Sequence, residues 1–121
     1  MVLAFKEQFK QKILDGSKIH TIRRDLLNEI KINNKIEFVD ENQENYFKPY
    51  KNSLCMNIQE IFIDCILLEI FVNKRRLPLQ ERNILIKNDG FDNVEDFFIF
   101  FIGNYGMSYS GKIIHWTDFK Y

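Results

Sequence analysis

The sequence predicts a single α+β domain spanning residues 1–121, and three observations support this fold class. The length of 121 residues falls within the usual size of one domain. A composition that is 45% apolar, with twelve Phe, supplies a hydrophobic core. Segments that alternate in polarity, as strands do, are interspersed with segments that have helical periodicity. No internal repeat, linker or low-complexity tract divides the chain.

The N-terminal region is predicted to form a strand followed by a helix. Val2–Phe5 is typical of a short strand. The recurrence of Phe5, Phe9 and Ile13 at every fourth position then predicts a helix with one buried stripe. Gly16 ends that helix, because glycine readily adopts the left-handed conformation that closes helices.

The middle of the chain is predicted to form a meander of strands that curls over a core. Its strands alternate in polarity or are continuously apolar, and turn residues separate neighbouring strands. The predicted segments are an extended Ile19–Ile22 with His20 and Thr21 on opposite faces, a turn at Asn33-Asn34, a strand over Lys35–Val39, a polar loop over Asp40–Ser53, strands over Leu54–Asp64 and Ile66–Val72, and a turn at Asn73-Lys74.

Two further helices and a final strand are predicted in the second half. The first of these helices opens at Leu77-Pro78, since proline is tolerated in a first turn, and Asp89-Gly90 closes it. Asp92 or Asn93 caps the next helix, in which Phe residues cover nearly all sides. The remaining expectations are an apolar side formed by Leu79, Ile84 and Leu85, a helix end at Asn104–Gly106 and a strand over Lys112–Trp116.

The charge distribution is uneven although the net charge is zero. Seventeen basic and seventeen acidic side chains argue against a protein that coats nucleic acid over its whole surface. Residues 1–35, however, hold eight Lys and Arg against four acids, and residues 70–88 hold five against one. If these two stretches meet in the fold, they form a local anion-binding face.

The sequence predicts no metal, no cofactor and no membrane span. Cys55 and Cys65 lie in apolar surroundings without a CxxC motif, which is typical of buried reduced thiols. The longest apolar run, Phe97–Ile102, is far shorter than the ~20 residues that a spanning helix needs. We therefore expect a soluble cytoplasmic protein, and the bias toward Ile, Lys, Asn and Phe suggests a bacterial or phage genome.

One short segment concentrates reactive side chains. In Gly16-x-Lys18-x-x-Thr21-x-Arg23, an ammonium, a hydroxyl and a guanidinium follow a helix stop within one connection. The distant segments Asp89-Gly90-Phe91 and Gly111–Thr117 accompany it. This ordered combination resembles the ASCH domain family of the PUA-like superfamily over nearly the whole chain. The resemblance implies a small PUA-like β-barrel with about three flanking helices and a role in binding RNA.

One branch of that family resembles amidohydrolases that remove the acetyl group from N4-acetylcytidine. The resemblance places the catalytic roles on Lys18, Thr21 and Asp89. A partly desolvated lysine can act as a base, and a threonine hydroxyl becomes a nucleophile when a base takes its proton. This chain has Asp89 where that branch has glutamate, which retracts the carboxylate by one methylene. The polar loop over Asp40–Ser53 is also expanded.

Six further residues are candidates for contacting substrate or nucleic acid. Arg23 offers a rigid fork of donors for a phosphate or a carbonyl oxygen. The basic residues beside it and in the later turn suit phosphate contacts, with a solvated surface as the alternative. The full candidate set is Arg23, Arg24, Lys74, Arg75, His20 and Trp116, of which His20 and Trp116 have packing roles as the alternative.

Three functions remain open from the sequence. The leading one is an ASCH-type module that binds RNA, a nucleotide or a modified nucleoside in a cleft lined by Lys18, Thr21, Arg23 and Asp89. The second is hydrolysis of an acylated cytidine by the same residues. The third is a phage or bacterial module that has lost the chemistry and binds a protein partner.

Overall fold

A computed structural model of the protein describes residues 1–25, 28–42 and 48–121. Its described part is an α+β fold with eight strands and three helices. The strands are β1 (Val2–Phe5), β2 (His20–Arg23), β3 (Lys35–Asp40), β4 (Lys51–Leu54), β5 (Asn57–Asp64), β6 (Glu69–Val72), β7 (Arg75–Arg76) and β8 (Ser108–His115). The helices are α1 (Glu7–Asp15), α2 (Leu79–Asn88) and α3 (Val94–Tyr105). The predicted fold class, α+β, is confirmed.

The described strands form two sheets that share a corner. One sheet has the order β1-β3-β4 and the other the order β2-β8-β5-β6-β7. Only Cys55 and Met56 separate β4 from β5, and their amides donate to Asn34 O at 2.9 Å and His115 O at 2.8 Å. The chain therefore leaves one sheet and enters the other without losing its backbone hydrogen bonds. Between the described strands, the two ladders do not close into one barrel.

The first helix forms as the sequence predicts. Phe9 and Ile13 are its buried residues, and Gly16 ends it with φ of 85°, in the left-handed region. The amide of Lys18 then donates to Lys12 O at 2.9 Å, which turns the chain back toward the sheet. Helix α1 thereby places the reactive segment at the start of β2.

Helix α3 contributes most of the aromatic core. Of the two predicted caps, Asp92 and Asn93, the cap is Asn93, whose side-chain oxygen accepts the amide of Asp96 at 2.9 Å. Phe97, Phe98 and Phe101 are buried, and Phe101 packs against Tyr109 of β8 with ring centroids 5.2 Å apart. This contact fixes α3 on the inner face of the five-stranded sheet.

Several predicted elements differ from the structure. The strand expected over Ile66–Val72 is only β6, because the side chain of Asp64 accepts the amides of Ile66 and Leu67 and forms a turn there. On the predicted apolar side of helix α2, Leu85 is buried as expected, but Leu79 and Ile84 are exposed and Ile86 is buried instead.

The expected loop over Asp40–Ser53 also needs correction, since its last part, from residue 51, belongs to β4. Residues 43–47 of that loop lie outside the described part of the chain. The final strand, predicted to begin at Lys112, begins earlier, at Ser108, because Ser108–Gly111 continue the ladder with β5.

Both cysteines are free and buried. In the described part of the chain, no helix is long and apolar enough to cross a membrane. The described residues also include no group of three His, Cys, Asp or Glu side chains placed to hold a metal ion.

Candidate functional site

The side chain of Lys18 is buried and ion-paired. Only 2% of the residue is exposed. Its Nζ donates to the carbonyl oxygen of Asp89 at 2.5 Å and lies 3.3 Å from the Asp89 carboxylate oxygen Oδ1. A buried charge of this kind persists only where an opposite charge and hydrogen bonds compensate for the lost water. Asp89 supplies both.

Asp89 occupies the end of α2, a position that an acidic residue ordinarily disfavours. Its amide donates to Leu85 O at 2.9 Å, as the last hydrogen bond of the helix. The helix C-terminus carries partial negative charge, which repels a carboxylate and attracts a cation. The Lys18 ammonium contacts both the terminal carbonyl and the carboxylate, so one cation neutralises both. This pairing explains the acid at the helix end.

A buried histidine holds the same carboxylate from the other side. His20 is fully buried, and its Nδ1 lies 3.2 Å from Asp89 Oδ1. Its Nε2 lies 2.6 Å from the hydroxyl of Tyr121, which also accepts from Asn88 Nδ2 at 3.1 Å. These partners assign the proton to Nδ1, with the Tyr121 hydroxyl donating to Nε2. His20 therefore positions Asp89.

A second buried histidine adjoins this network. The rings of His20 and His115 are 5.2 Å apart and nearly perpendicular. His115 Nε2 donates to Gln59 Oε1 at 2.9 Å, whereas its Nδ1 is buried without a hydrogen-bond partner among the described residues. Gln59 also holds the backbone of Tyr121 through two hydrogen bonds. Gln59 thus links Tyr121 to His115.

Burial sets the protonation of these groups. Desolvation lowers the pKa of Lys18, and the nearby Asp89 carboxylate partly opposes this shift. Desolvation likewise lowers the pKa of His20 and brings that of His115 to about 3. Both histidines are therefore neutral at pH 7, and Lys18 loses its proton more readily than a solvated lysine.

Lys18 lines a cavity of about 290 Å³, which we call the Lys18 cavity. Polar groups from three segments and a set of aromatic rings surround it. The lining residues are Ala4, Phe5, Lys6, Phe9, Lys18, Thr21, Ile22, Arg23, Glu41, Asp89, Phe91, Phe100, Phe101, Asn104 and Tyr105. The structure therefore brings together the four residues predicted to line the cleft, namely Lys18, Thr21, Arg23 and Asp89.

Arg23 is oriented by three contacts. Its Nη2 donates to Ala4 O at 2.6 Å, and its Nε donates to Thr21 Oγ1 at 3.3 Å. Its guanidinium carbon lies 4.8 Å from the centroid of the Phe5 ring. Within the described residues, Nη1 of Arg23 takes part in no hydrogen bond. This leaves donors of a fixed guanidinium for a molecule in the cavity.

Aromatic rings form the opposite wall and crowd the lysine stem. Phe9 and Phe91 pack edge to face at 5.3 Å, and Lys18 Nζ lies 4.8 Å from the centroid of Phe9. Gly90, with φ of 99°, lets this wall close. A Cβ there would lie 3.0 Å from both Lys18 Cδ and Phe9 Cδ1. In the segment Asp89-Gly90-Phe91, the first residue thus pairs with Lys18, the second allows Lys18 and Phe9 to approach closely, and the third is part of the aromatic wall.

The remaining predicted site residues lie elsewhere. Arg24 and Lys74 line a different cavity on the outer face of the large sheet. Arg75 is exposed and forms a bidentate pair with Glu81, at 2.6 and 3.0 Å. Trp116 is buried against Phe5 and Phe38 in the core. His20 is buried behind Asp89 rather than beside the cavity.

The sequence analysis did not identify the aromatic wall, Asn88, Gln59 or Tyr121 as parts of the site. Phe9 carries only a helical signal, because a residue in a buried stripe has the same spacing whether or not a cavity adjoins it. Tyr121 follows the last strand by several residues, and no local pattern places it beside His20. The only signal in the sequence was the residue type, because a buried tyrosine hydroxyl usually finds a hydrogen-bond partner.

Comparisons of the chain with models of known families, with curated proteins and with solved structures give no match.

Proposed function

We propose that the protein is an ASCH-type module with a PUA-like barrel fold that binds a nucleotide, a modified nucleoside or an RNA segment in the Lys18 cavity. One observation carries the proposal. A buried ammonium, a fixed guanidinium and a carboxylate face aromatic rings across a cavity of about 290 Å³. The bend from β4 into β5, which joins the two sheets at one corner, supports the barrel-like fold.

The polar groups suit the edge of a nucleobase. Among the described residues, Asp89 Oδ1 accepts from Lys18 and His20, whereas Oδ2 has no hydrogen-bond partner. A carboxylate oxygen can accept from the exocyclic amine of a base, as aspartate does with cytosine. The free donors of Arg23 suit a ring carbonyl or a phosphate oxygen. Together these groups favour a base that has an amino group and a carbonyl group on the same edge, as cytosine does.

The size and the aromatic wall support the same class of ligand. Ligand pockets are commonly ~300–1,000 Å³, so this cavity suits one nucleoside. Phe9, Phe91 and Phe100 line one side of it and offer rings on which a base stacks. A single nucleotide of an RNA strand would occupy the cavity in the same way, with its base unstacked from its neighbours.

Ligand binding tests the proposal directly. Calorimetry with cytidine, uridine, cytidine monophosphate and N4-acetylcytidine is expected to show saturable binding, with a preference for the cytidine compounds. Arg23→Lys keeps the charge but removes the fork, so it should weaken binding by about tenfold or more. Arg76→Lys makes the same change on the exposed β7 and serves as the control. Absence of binding by every one of these compounds and by a short oligocytidine contradicts the proposal.

A second function, hydrolysis of an acylated cytidine, is favoured by the lowered pKa of Lys18. A buried lysine beside an acid in a cavity is a common arrangement for a general base. The Thr21 hydroxyl would attack the acetyl carbonyl carbon while Lys18 takes its proton, and the bond to N4 would break as that proton passes to N4 and cytidine leaves. Water would then hydrolyse the acetyl ester on Thr21, which releases acetate and restores the hydroxyl. Against this, Lys18 Nζ bonds to Asp89, and Thr21 Oγ1 accepts from Arg23. The described contacts include no hydrogen bond between Lys18 and Thr21.

Chromatographic detection of cytidine released from N4-acetylcytidine tests the second function. Thr21→Val keeps the shape of the side chain and removes the hydroxyl, and should abolish turnover if Thr21 is the nucleophile. Binding of the substrate by the same variant, measured by calorimetry, separates loss of chemistry from loss of affinity. Wild-type release no faster than that of Thr21→Val leaves binding as the function.

A further inference from the structure

We propose that the outer face of the five-stranded sheet binds a single-stranded nucleic acid that continues out of the Lys18 cavity, with bases stacked on Phe62 and Phe71 and phosphates held by Arg24 and Lys74. This inference rests on the proposed function and deepens it. It implies that the natural ligand is a strand and that a nucleoside occupies only part of the site.

An aromatic pair is displayed on the outer face. Phe62 of β5 lies opposite Phe71 of β6 in the strand register, and their ring centroids are 6.0 Å apart. The neighbours Ile61 and Ile63 are buried, so the alternation of the strand directs Phe62 to the other face. Phe62 is 39% exposed. A large aromatic ring retained on the solvent side of a sheet is a stacking surface for bases.

Basic side chains border this pair. A cavity of about 320 Å³, which we call the Phe62 cavity, is lined by Arg24, Asp25, Glu60, Ile61, Phe62, Phe71, Lys74, Ser110, Gly111 and Lys112. Lys112 pairs with Asp25 at 3.5 Å. No ion pair in the described part of the chain involves Arg24 or Lys74. These two cations outnumber the remaining acid, Glu60, so the cavity attracts an anionic ligand.

Consecutive residues of the chain line the two cavities. Arg23 lines the Lys18 cavity, and the next residue, Arg24, lines the Phe62 cavity. Tyr105 also lines the Lys18 cavity, and the guanidinium of Arg24 lies 5.3 Å from the centroid of its ring. A strand whose nucleotide fills the first cavity therefore passes Arg24 and Tyr105 before it reaches the aromatic pair.

This combination selects the class of partner. Rings flanked by cations match the alternating bases and phosphates of a single strand. A protein partner would instead use Phe62 as an apolar contact, for which an aliphatic side chain of similar size is adequate. The two kinds of partner thus respond differently to one substitution.

Fluorescence anisotropy with a labelled oligocytidine of about ten nucleotides tests the inference. Phe62→Leu keeps an apolar side chain and removes the ring, so it should weaken strand binding by about fivefold or more. Phe62→Tyr restores a ring and should bind like the wild type. Lys74→Met should weaken binding and lower the slope of log affinity against log salt by about one.

The control is binding of cytidine monophosphate by the same variants, which should be unchanged because Phe62 and Lys74 lie outside the Lys18 cavity. Strand binding by Phe62→Leu equal to that of the wild type overturns the inference, and so does a strand that binds no more tightly than the mononucleotide. Either result leaves the proposed function intact. Failure of both the strand and the mononucleotide to bind overturns the proposed function as well.

Discussion

Two basic regions of this protein have the same appearance in the sequence and opposite environments in the structure. Lys18 and Arg75, the first residue of β7, both follow a turn, and both are candidates for holding an anion. Lys18 is 2% exposed and is paired with Asp89 and its helix end. The side chain of Arg75 is 51% exposed and is paired with Glu81 in solvent. The charge of Lys18 is therefore compensated by the fold, whereas the charge of Arg75 is solvated by water.

The difference lies in desolvation. Moving a charge out of water costs several kcal/mol, and removing one member of a buried pair leaves the other uncompensated. An exposed pair loses little, because water replaces the missing partner. A buried lysine that lines a cavity is therefore maintained at a cost in stability, which is the arrangement expected of a functional group. The exposed Arg75 carries no such cost.

The largest effect is expected from Lys18→Met, which preserves the length of the side chain and removes its charge. The Asp89 carboxylate would remain buried beside a neutral histidine, so we expect a loss of about 3–5 kcal/mol in the free energy of unfolding. Urea denaturation followed by circular dichroism measures it. A loss below about 1 kcal/mol would mean that water reaches Asp89 and that the site is not desolvated.

The combined variant Lys18→Met, Asp89→Asn provides the matched control. It removes both charges and leaves a neutral amide that His20 can still contact. Its stability should exceed that of Lys18→Met alone, because the uncompensated carboxylate is gone. If the stability losses of Lys18→Met and Asp89→Asn, each measured singly, add up to the loss of the combined variant, then Lys18 and Asp89 do not interact.

Acid is expected to destabilise the buried region next most strongly. Burial lowers the pKa of His20 and brings that of His115 to about 3, whereas both titrate near 6.5 when unfolded. Between these values the unfolded chain binds more protons, so stability is complete above pH 6.5 and falls as the pH decreases. Well below pH 6.5 and above about pH 3, His115 contributes a slope of about 1.4 kcal/mol per pH unit, and His20 adds to the slope in the same direction.

Urea denaturation at pH 5, 6, 7 and 8 measures this slope. His115→Gln retains a polar side chain beside Gln59 and removes one titrating group. It should therefore lower the slope between pH 5 and 6 by about 1.4 kcal/mol per pH unit, the contribution of one proton. Equal slopes in the two proteins would show that His115 is not buried neutral. The pairing of Arg75 with Glu81 has no role in this range.

A smaller effect is expected at Gly90, which can be compared with Gly16. Both have positive φ, 99° and 85°, so alanine is strained at either position. A Cβ at Gly16 meets nothing within 4 Å, whereas one at Gly90 lies 3.0 Å from Lys18 Cδ and Phe9 Cδ1. Gly16→Ala should cost about 1 kcal/mol, and Gly90→Ala about 1 kcal/mol more. Thermal denaturation of the two variants isolates the crowding, and equal losses would contradict it.

The residues that approach Lys18 show how much of the site the sequence can predict. Gly16 was predictable as a helix end because its signal is local, and the same holds for the cap at Asn93. The segment Gly16–Arg23 also placed Thr21 and Arg23 beside Lys18, since they share a short connection. The α+β class followed from the patterning, although the boundaries of β6 and β8 and the buried side of α2 did not.

What the sequence could not supply is the set of contacts between distant segments. Tyr121 and Gln59 meet near His20 only because β5 and β8 are neighbours in the sheet, and strand order is not encoded in any one segment. The exposure of Phe62 was hidden for a related reason. Alternation shows that neighbouring residues lie on opposite faces, but not which face a helix covers.

The smallest effect is expected from the exposed pair, and it completes the comparison with Lys18. Arg75→Met makes the same change from a cation to Met as Lys18→Met, but at a side chain that water already contacts. Its effect on the free energy of unfolding should be less than about a fifth of that of Lys18→Met, and 1 M salt should abolish it through screening. Urea denaturation of the Arg75→Met, Glu81→Gln and double variants, at low and high salt, measures the coupling between the two side chains. A coupling that persists at high salt would show that the bidentate geometry, rather than long-range attraction, stabilises the turn. Burial would then no longer be the sole reason why the two basic regions differ.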